Sequence, residues 1–437
     1  MNRRCHCQII PPFMLEHIAA TQHAAAQDTL HRDHQLRATR ETRTLRPTPL
    51  AHSGVAWSVH TSNNATMLPG ELVRTAGQPT SGDPAVDEAA DGGQAALDLF
   101  RIVYGRDSFD GAGAEVVMTV HYGRNYDNAF WNGEQLVFGD GDGEIFDRFT
   151  KPIDVLGHEL AHAVTERTAG LVYRNQPGAL NESISDVFGI CSKQRHEGHT
   201  VDQADWLIGA NLFLPAINAR GLRDMANPGT AYDDPKLGRD PQPAHMDDYD
   251  PTTADNGGVH INSGIPNRAF YLAATAIGGR AWDGAGAIWY AALTSPTVTA
   301  TTDFAGFAKA TIAAAGDHAT AVRDAWGQVG VLVTSPPSQP PVHPASDDAS
   351  LVAVRRSGGI AGRQVEGRIY LDGDDPRVPD ALVLVQRIDL AAVRSRDPYP
   401  DVFVYEFNVC GHVAANVAEP DLTEPLRELA DLVLRGE

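Results

Sequence analysis

Val155-Leu156-Gly157-His158-Glu159-Leu160-Ala161-His162 is the stretch that decides how the rest of the chain is read. Two histidines four residues apart lie on one face of an α-helix, because four residues make roughly one turn. Their imidazoles can converge on one ion, and Glu159 sits where it can reach a water on that ion; this is the H-E-x-x-H zinc pattern. Taken alone, the pattern also fits a surface helix that happens to carry two histidines. Pro152 suits the first turn of this helix, and Ala169-Gly170-Leu171-Val172-Tyr173 breaks it. A second helix then starts within Gly178 to Gly189. A catalytic zinc takes three protein ligands and keeps one position open, and Glu182, twenty residues beyond His162, is a reasonable third ligand. Asp186, one turn after Glu182, can accept a hydrogen bond from a ligand histidine and fix its tautomer. Asn181 is placed with Asp186 in support of the ligands.

Composition narrows the classes around that site. The 437 residues suit two to four domains, and the 42% hydrophobic content is enough for real cores. Lys plus Arg number 35 against 56 Asp plus Glu, for a formal charge of −21. Such an acidic chain argues against nucleic acid and anionic membranes as partners. No uninterrupted apolar run approaches the length of a membrane span. Cys5, Cys7, Cys191 and Cys410 are scattered over different segments, form no disulfide framework and fit a reducing compartment. The basic start Met1-Asn2-Arg3-Arg4 is followed by an apolar stretch broken by Pro11-Pro12 and Glu16-His17, so no secretory signal is read. The expected location is therefore cytoplasmic, or secreted without a classical signal, and the expected state a monomer.

Upstream of the helix, Leu68 to Arg74 and Glu115 to Tyr122 read as β-rich runs, with an amphipathic helix from Asp87 to Tyr104 between them. Gly139-Asp140-Gly141-Asp142-Gly143 is a tight turn, not a metal site, because it lacks the acid spacing of a calcium loop. Ile9 to Ala19 reads as a short apolar anchor leading into a helix. From Ala24 to Arg46 the composition turns polar and is expected to be a flexible, protease-accessible connection.

Four motifs in order carry a resemblance to the thermolysin family of zinc endopeptidases: Asn128-Ala129-Phe130-Trp131-Asn132-Gly133, His158 to His162, Gly178 to Gly189, and Asp255-Asn256-Gly257-Gly258-Val259-His260-Ile261-Asn262-Ser263-Gly264-Ile265. The match runs from about Leu68 to Gly330. It implies an α+β catalytic unit of two lobes, β-rich then mostly helical, with the zinc helix at the floor of the cleft. Peptide hydrolysis with one zinc ion needs a base for the attacking water, which Glu159 supplies, and a donor for the oxyanion, for which His260 is a candidate with Asp255 orienting it. The resemblance adds Tyr173 at the oxyanion, Asn128 and the Ala129 backbone on the substrate strand, and Arg223 on a substrate carbonyl. It also places Phe146, Val155, Ile208 and Leu222 in the pocket for the residue after the scissile bond, which implies cleavage before Leu, Ile, Val or Phe, with broad specificity. The family's paired calcium site keeps Asp154 and Asp205 here, but Lys193, Leu207 and Ala210 replace its other acids. That loss should abolish the site, which puts calcium in doubt, and Lys193 is expected to pair with Asp154 in the ion's place.

Short Ala-rich helices are read at Asn267–Ala276, Gly286–Leu293, Phe304–Ala315 and Thr320–Gly327, and a proline-rich linker follows. The segment Ser350 to Glu437 reads as a small α+β domain with strands at Leu351–Val354 and Val402–Phe407 and a closing helix at Leu422–Leu434. Arg355 to Gly362 and Pro400 to Tyr405 resemble emfourin, an inhibitor of protealysin-type members of the family; a generic appendage for substrate or partner binding is the alternative. Ile9 to Leu15 is similar to the short propeptide motif of protealysin-like precursors, and implies autocatalytic removal near residues 45–55. The expected organisation is a propeptide over 1–52, catalytic lobes over 53–172 and 173–334, a linker over 335–349 and the emfourin-like domain over 350–437. A Cys5 or Cys7 thiolate at the zinc of the zymogen is a further expectation. Peptides or proteins are the expected substrates and the chain's own C-terminal domain its expected inhibitor. The rivals are a silent, zinc-stabilised binding protein and a protease whose tail inhibits another enzyme.

Overall fold

The computed structural model describes residues 8–42, 56–331, 351–358, 365–371, 375–385, 388, 403–409 and 412–434. The chain divides into two compact units, Met1–Thr334 and Ser335–Glu437. In the first, β1 (Trp57–Thr61), β2 (Glu71–Thr75), β3 (Val116–Val120), β4 (Ala129–Trp131) and β5 (Leu136–Phe138) form a sheet in the order β2-β1-β3-β5-β4. The β1–β3 and β3–β5 pairs are parallel and the outer pairs antiparallel, so β4 is an edge strand. The helix α3 (Pro84–Asp98) packs on β1 and β3. It begins where its physics predicts: Asp83 Oδ1 accepts the amides of Ala85 and Val86, with Pro84 at the first position.

The second lobe is built on α4 (Ile153–Glu166) and α5 (Asn175–Glu197), the most extensively packed pair of elements in the chain. In α4, every residue from Asp154 to Thr165 is buried. A helix enclosed on all sides should be apolar all round, so the fully buried His158, Glu159 and His162 require an explanation other than solvation. Glycine sets the distance between the two helices. A Cβ on Gly189 would stand 2.5 Å from the Asp154 carbonyl oxygen, and one on Gly157 would stand 3.0 Å from the Gly189 Cα. Two short hairpins follow, β6 (Leu207–Ile208) with β7 (Arg223–Asp224) and β8 (Asp233–Asp234) with β9 (Gly238–Arg239). Helices α6 (Asp255–Asn262), α7 (Gly264–Ile277), α8 (Ala285–Leu293), α9 (Phe304–Ala314) and α10 (Ala319–Gln328) complete the lobe. Two helices precede the lobes: α1 (Pro12–Ala20), written αA, and α2 (Ala24–Thr42), written αB.

The polar stretch after Ala24 corrects an expectation: it is the helix αB, not a flexible connection, as far as Thr42. Composition misleads there because αB docks through polar groups. Thr29 Oγ1 accepts the Asp127 amide, and Asp33 accepts from the Tyr126 hydroxyl at 2.6 Å and from Asn128 Nδ2 at 2.9 Å. Such anchors carry no apolar periodicity for a sequence to display. The apolar anchor before it is buried as expected, with Ile9, Ile10, Leu15 and Ile18 fully enclosed.

The second unit has a four-stranded antiparallel sheet in the order β11-β10-β12-β13, formed by β10 (Leu351–Gly358), β11 (Val365–Tyr370), β12 (Phe403–Val409) and β13 (His412–Ala418). Helices α11 (Val378–Val385) and α12 (Glu424–Leu434) cover its core of Val352, Val354, Ile369, Phe407 and Leu426. The proline-rich linker, Cys5, Cys7, Cys410 and the expected cleavage region at 45–55 lie outside the described residues.

The separation of α4 and α5 yields a test. Gly189→Ala is expected to lower stability by about 1–3 kcal/mol, as overpacking does, and to weaken zinc retention with it. Thermal melts with metal analysis check both.

Candidate metal centre and cleft

Because His158 and His162 share a face of α4 while Glu182 points across from α5, their donor atoms meet. The two Nε2 atoms are 2.9 Å apart, and Glu182 Oε2 and Oε1 lie 3.5 and 3.6 Å from His158 and His162 respectively. The outer nitrogens are engaged: His158 Nδ1 is 2.8 Å from Asp186 Oδ1, and His162 Nδ1 is 2.9 Å from Asn181 Oδ1 and from Ser185 Oγ. With Nδ1–H donating outward, two Nε2 lone pairs face each other in a dry site, an arrangement that a cation between them stabilises. Burial, and then the neighbouring His158, push the pKa of His162 down to about 3, so the ring is neutral as a ligand must be. Burial alone would raise Glu182, but His260, His162, His158 and Arg223 outweigh it and hold the carboxylate ionised. Glu182 Oε2 has no hydrogen-bond partner. The donor set therefore fits one zinc ion with an open position.

Asp186 is tied down from several sides. Arg223 Nε and its terminal nitrogen each donate to it at 2.7 Å, and Asn267 Nδ2 donates at 2.8 Å. Against the cost of burial, Arg223 and then His158 hold its pKa well below the usual carboxylate range. Asn267 and Ser185 are supports that sequence reading missed, since neither belongs to a spacing pattern of ligands.

On the far side, the Tyr173 hydroxyl donates to Glu182 Oε1 and stands 3.1 Å from His260 Nε2. Asp255 Oδ1 is 2.7 Å from His260 Nδ1, and its Oδ2 accepts the His260 amide at 2.8 Å. Burial works against charge on His260, yet Asp255 and Glu182 raise its pKa above the ordinary value. The short chain between them makes this contact possible: Asp255, Asn256, Gly257 and Gly258 all have φ between 50° and 86°. That left-handed run costs Asp255 about 1–3 kcal/mol and turns its carboxylate back onto the histidine that follows.

The N-terminal segment lies along the cleft. Ile9 N donates to the Ala129 carbonyl, on the β4 edge, at 3.1 Å. Asn128 grips Ile10 at both ends, its Oδ1 accepting Ile10 N at 3.0 Å and its Nδ2 donating to Ile10 O at 3.4 Å. Arg223 donates to the Ile9 carbonyl at 3.3 Å, and the Gln8 carbonyl lies 3.1 Å from His260 Nε2. Phe146, Val155, Ile208 and Leu222 are buried in the same apolar cluster as Ile9 and Ile10. Gln8 is a contact that sequence reading did not single out, because it is made by backbone alone.

Lys193 departs from its expected pairing in one respect. Its ammonium is 2.8 Å from both Asp205 oxygens and 3.5 Å from Asp154 Oδ2, so it bridges the two acids and leans towards Asp205. Among the described residues, no set of side chains able to hold a metal forms around them.

This geometry defines a mononuclear zinc peptidase site, and the comparisons agree. The family model described as thermolysin metallopeptidase, catalytic domain, matches residues 27–166, and that of the alpha-helical domain matches residues 169–331. The chain belongs to the thermolysin metallopeptidase family and is a zinc-dependent metalloendopeptidase. It is 50% identical over 342 residues to an extracellular metalloprotease of Pectobacterium carotovorum subsp. carotovorum, covering 76% of this chain and 99% of that one. Protease PrtS of Photorhabdus sp. (strain Az29) is 48% identical over 283 residues, 63% of this chain and 76% of that one. The solved precursor of protealysin, a metalloproteinase from Serratia proteamaculans, matches with a TM-score of 0.68 and 50% identity, over 75% of this chain and all of that chain.

Asp186→Asn is expected to weaken zinc binding by about 10- to 100-fold, read by competition with a chromophoric chelator. Millimolar calcium is expected to leave the melting temperature of zinc-loaded, calcium-free protein unchanged; a clear rise would show that Lys193 does not stand in for the ion.

Proposed function

We propose that the chain is made as a latent zinc endopeptidase, whose own N-terminal segment occupies the substrate site, and that it cuts peptides before bulky apolar residues. The pairing of Gln8–Ile10 with the β4 edge carries this reading. Main-chain groups of that segment satisfy Ala129, Asn128, Arg223 and His260 together, which is what an extended peptide substrate would do. The Gln8 carbonyl beside His260 supports reading the Gln8–Ile9 peptide bond as the occupant of the scissile place, and the fully buried Ile9 as the occupant of the pocket proposed for Phe146, Val155, Ile208 and Leu222.

When bound, zinc polarises the scissile carbonyl and acidifies the attacking water. Glu159, in the turn between the two histidines, takes the proton from that water and passes it to the leaving amine. His260 and Tyr173 donate to the developing oxyanion, with Asp255 holding the His260 ring. Asn128, Ala129 and Arg223 fix the substrate backbone, and thereby its register, without reading its side chains. The second unit, with a sheet and two helices of its own, is proposed as an emfourin-like inhibitor acting on the catalytic unit. The word extracellular in the Pectobacterium relative's name makes secretion the location proposed here. A silent binding protein is not favoured, since Glu159, Tyr173 and His260 are all present and the matching relatives are metalloproteases.

Glu159→Gln is expected to reduce quenched-peptide hydrolysis by roughly a hundred- to ten-thousandfold with zinc content unchanged, and to keep the N-terminal segment attached. Wild-type protein should gain activity as that segment is lost, followed by mass spectrometry. A chain ending at Thr334 should be more active than the full chain once both have shed it. Equal activity of full and N-terminally trimmed protein would overturn latency, and equal activity with and without the second unit would make that unit a binding module.

A further inference from the structure

Outside the cleft, the described residues bring together one other set of side chains able to hold a metal: His23, Asp127 and Asp142, whose donor atoms lie within 4.8 Å of one another. They come from separate places. His23 stands between αA and αB, Asp127 immediately precedes Asn128, and Asp142 belongs to the Asp-Gly turn after β5. His23 Nε2 is 3.2 Å from Asp142 Oδ2 and 3.4 Å from Glu144 Oε2. Asp142 spends its other oxygen on the turn, with Oδ1 accepting the amides of Glu144, Ile145 and Phe146 at 2.9, 2.8 and 2.9 Å. Its Oδ2 is left facing the histidine without a hydrogen-bond donor in bonding geometry.

Asp127 is the decisive member. It is fully buried, and neither carboxylate oxygen has a hydrogen-bond partner. The Asp142 backbone amide eases its charge without reaching hydrogen-bonding geometry. The donors on either side are spent elsewhere, because the Tyr126 hydroxyl and Asn128 Nδ2 both go to Asp33. A buried carboxylate beside a second one, with a histidine completing the triangle, lacks one thing, and that is a positive charge.

We propose that His23, Asp127 and Asp142 form a second divalent-cation site, with Glu144 at its rim, which clamps the N-terminal segment to the catalytic lobe. An imidazole with two carboxylates suits a transition-series dication such as zinc, cobalt or manganese. Calcium is a poorer match, since it takes six to eight oxygens and this site offers few. One ligand comes from the segment that fills the cleft and two from the lobe that owns it. Asp127 is also covalently next to Asn128, which grips Ile10. Occupation of the site therefore stabilises the docked segment, a consequence that rests on the latent form proposed above; the site itself does not.

Metal counting tests it without recourse to activity. The full chain carrying Glu159→Gln, which keeps its N-terminal segment, is saturated with zinc and dialysed against cobalt, and bound metal is measured by atomic emission. Two ions per chain are expected, and one in the His23→Gln and Asp127→Asn variants, with cobalt binding at least tenfold weaker. Circular dichroism melts confirm that the variants fold; His23→Gln changes a part-exposed side chain on a turn and keeps the test valid should Asp127→Asn not fold. A single ion in the parent chain overturns the proposal, and so do two ions retained in His23→Gln. Loss of the second ion with latency intact, or latency absent with two ions bound, separates the failure of one reading from that of the other.

Discussion

The Asp186 carboxylate is the interaction on which the catalytic unit depends. Four polar groups converge on it: two guanidinium nitrogens of Arg223, Nδ1 of His158 and the amide of Asn267. They belong to β7, α4 and α7, and Asp186 itself to α5, so one buried anion ties together elements that no local propensity would bring near each other. A buried carboxylate with this many donors is stable only if all are present, and removing one partner of such a pair leaves an uncompensated charge. The arrangement also gives one side chain two duties. It orients a metal ligand and holds the arginine that reaches the chain lying in the cleft.

Backbone constraints supply what that carboxylate cannot. The glycines at 157 and 189 let α4 and α5 approach until Glu182 comes within reach of both histidines. Trp131 Nε1 donates to Glu166 Oε2 at 3.0 Å, fastening the edge strand to the end of the zinc helix. The left-handed run before Val259 bends Asp255 back to His260. In each case a small local cost, in steric freedom or in strain, is met by burial elsewhere in the lobe.

Much of this was legible in the sequence, for identifiable reasons. The histidine pair declares itself because the helical repeat puts positions four apart on one face. Tyr173, Asn128 and Arg223 are placed only by likeness to a family, since their meeting with His260 depends on tertiary closure across gaps of up to 132 residues, between Asn128 and His260. The helix αB is not legible as a helix because its anchors are hydroxyl and carboxylate groups within a polar stretch. Asp142 reads as an ordinary turn residue, and nothing in the order of residues announces that His23 and Asp127 would stand beside it. Asn267 and Ser185 were invisible for the same reason.

The open edge of β4 has a consequence for timing. Gln8–Ile10 is held there by backbone hydrogen bonds and by the burial of Ile9 and Ile10. Added to the contacts that hold Gln8–Ile10 is its covalent connection, which would supply it at an effective concentration in the millimolar range. Severing that connection would turn an intramolecular occupant into a dilute free peptide, and the edge would pass to whatever extended chain is abundant. In the latent form proposed above, irreversibility would come in part from the connectivity of the chain, because a single cut turns a tethered occupant into one that dilutes away.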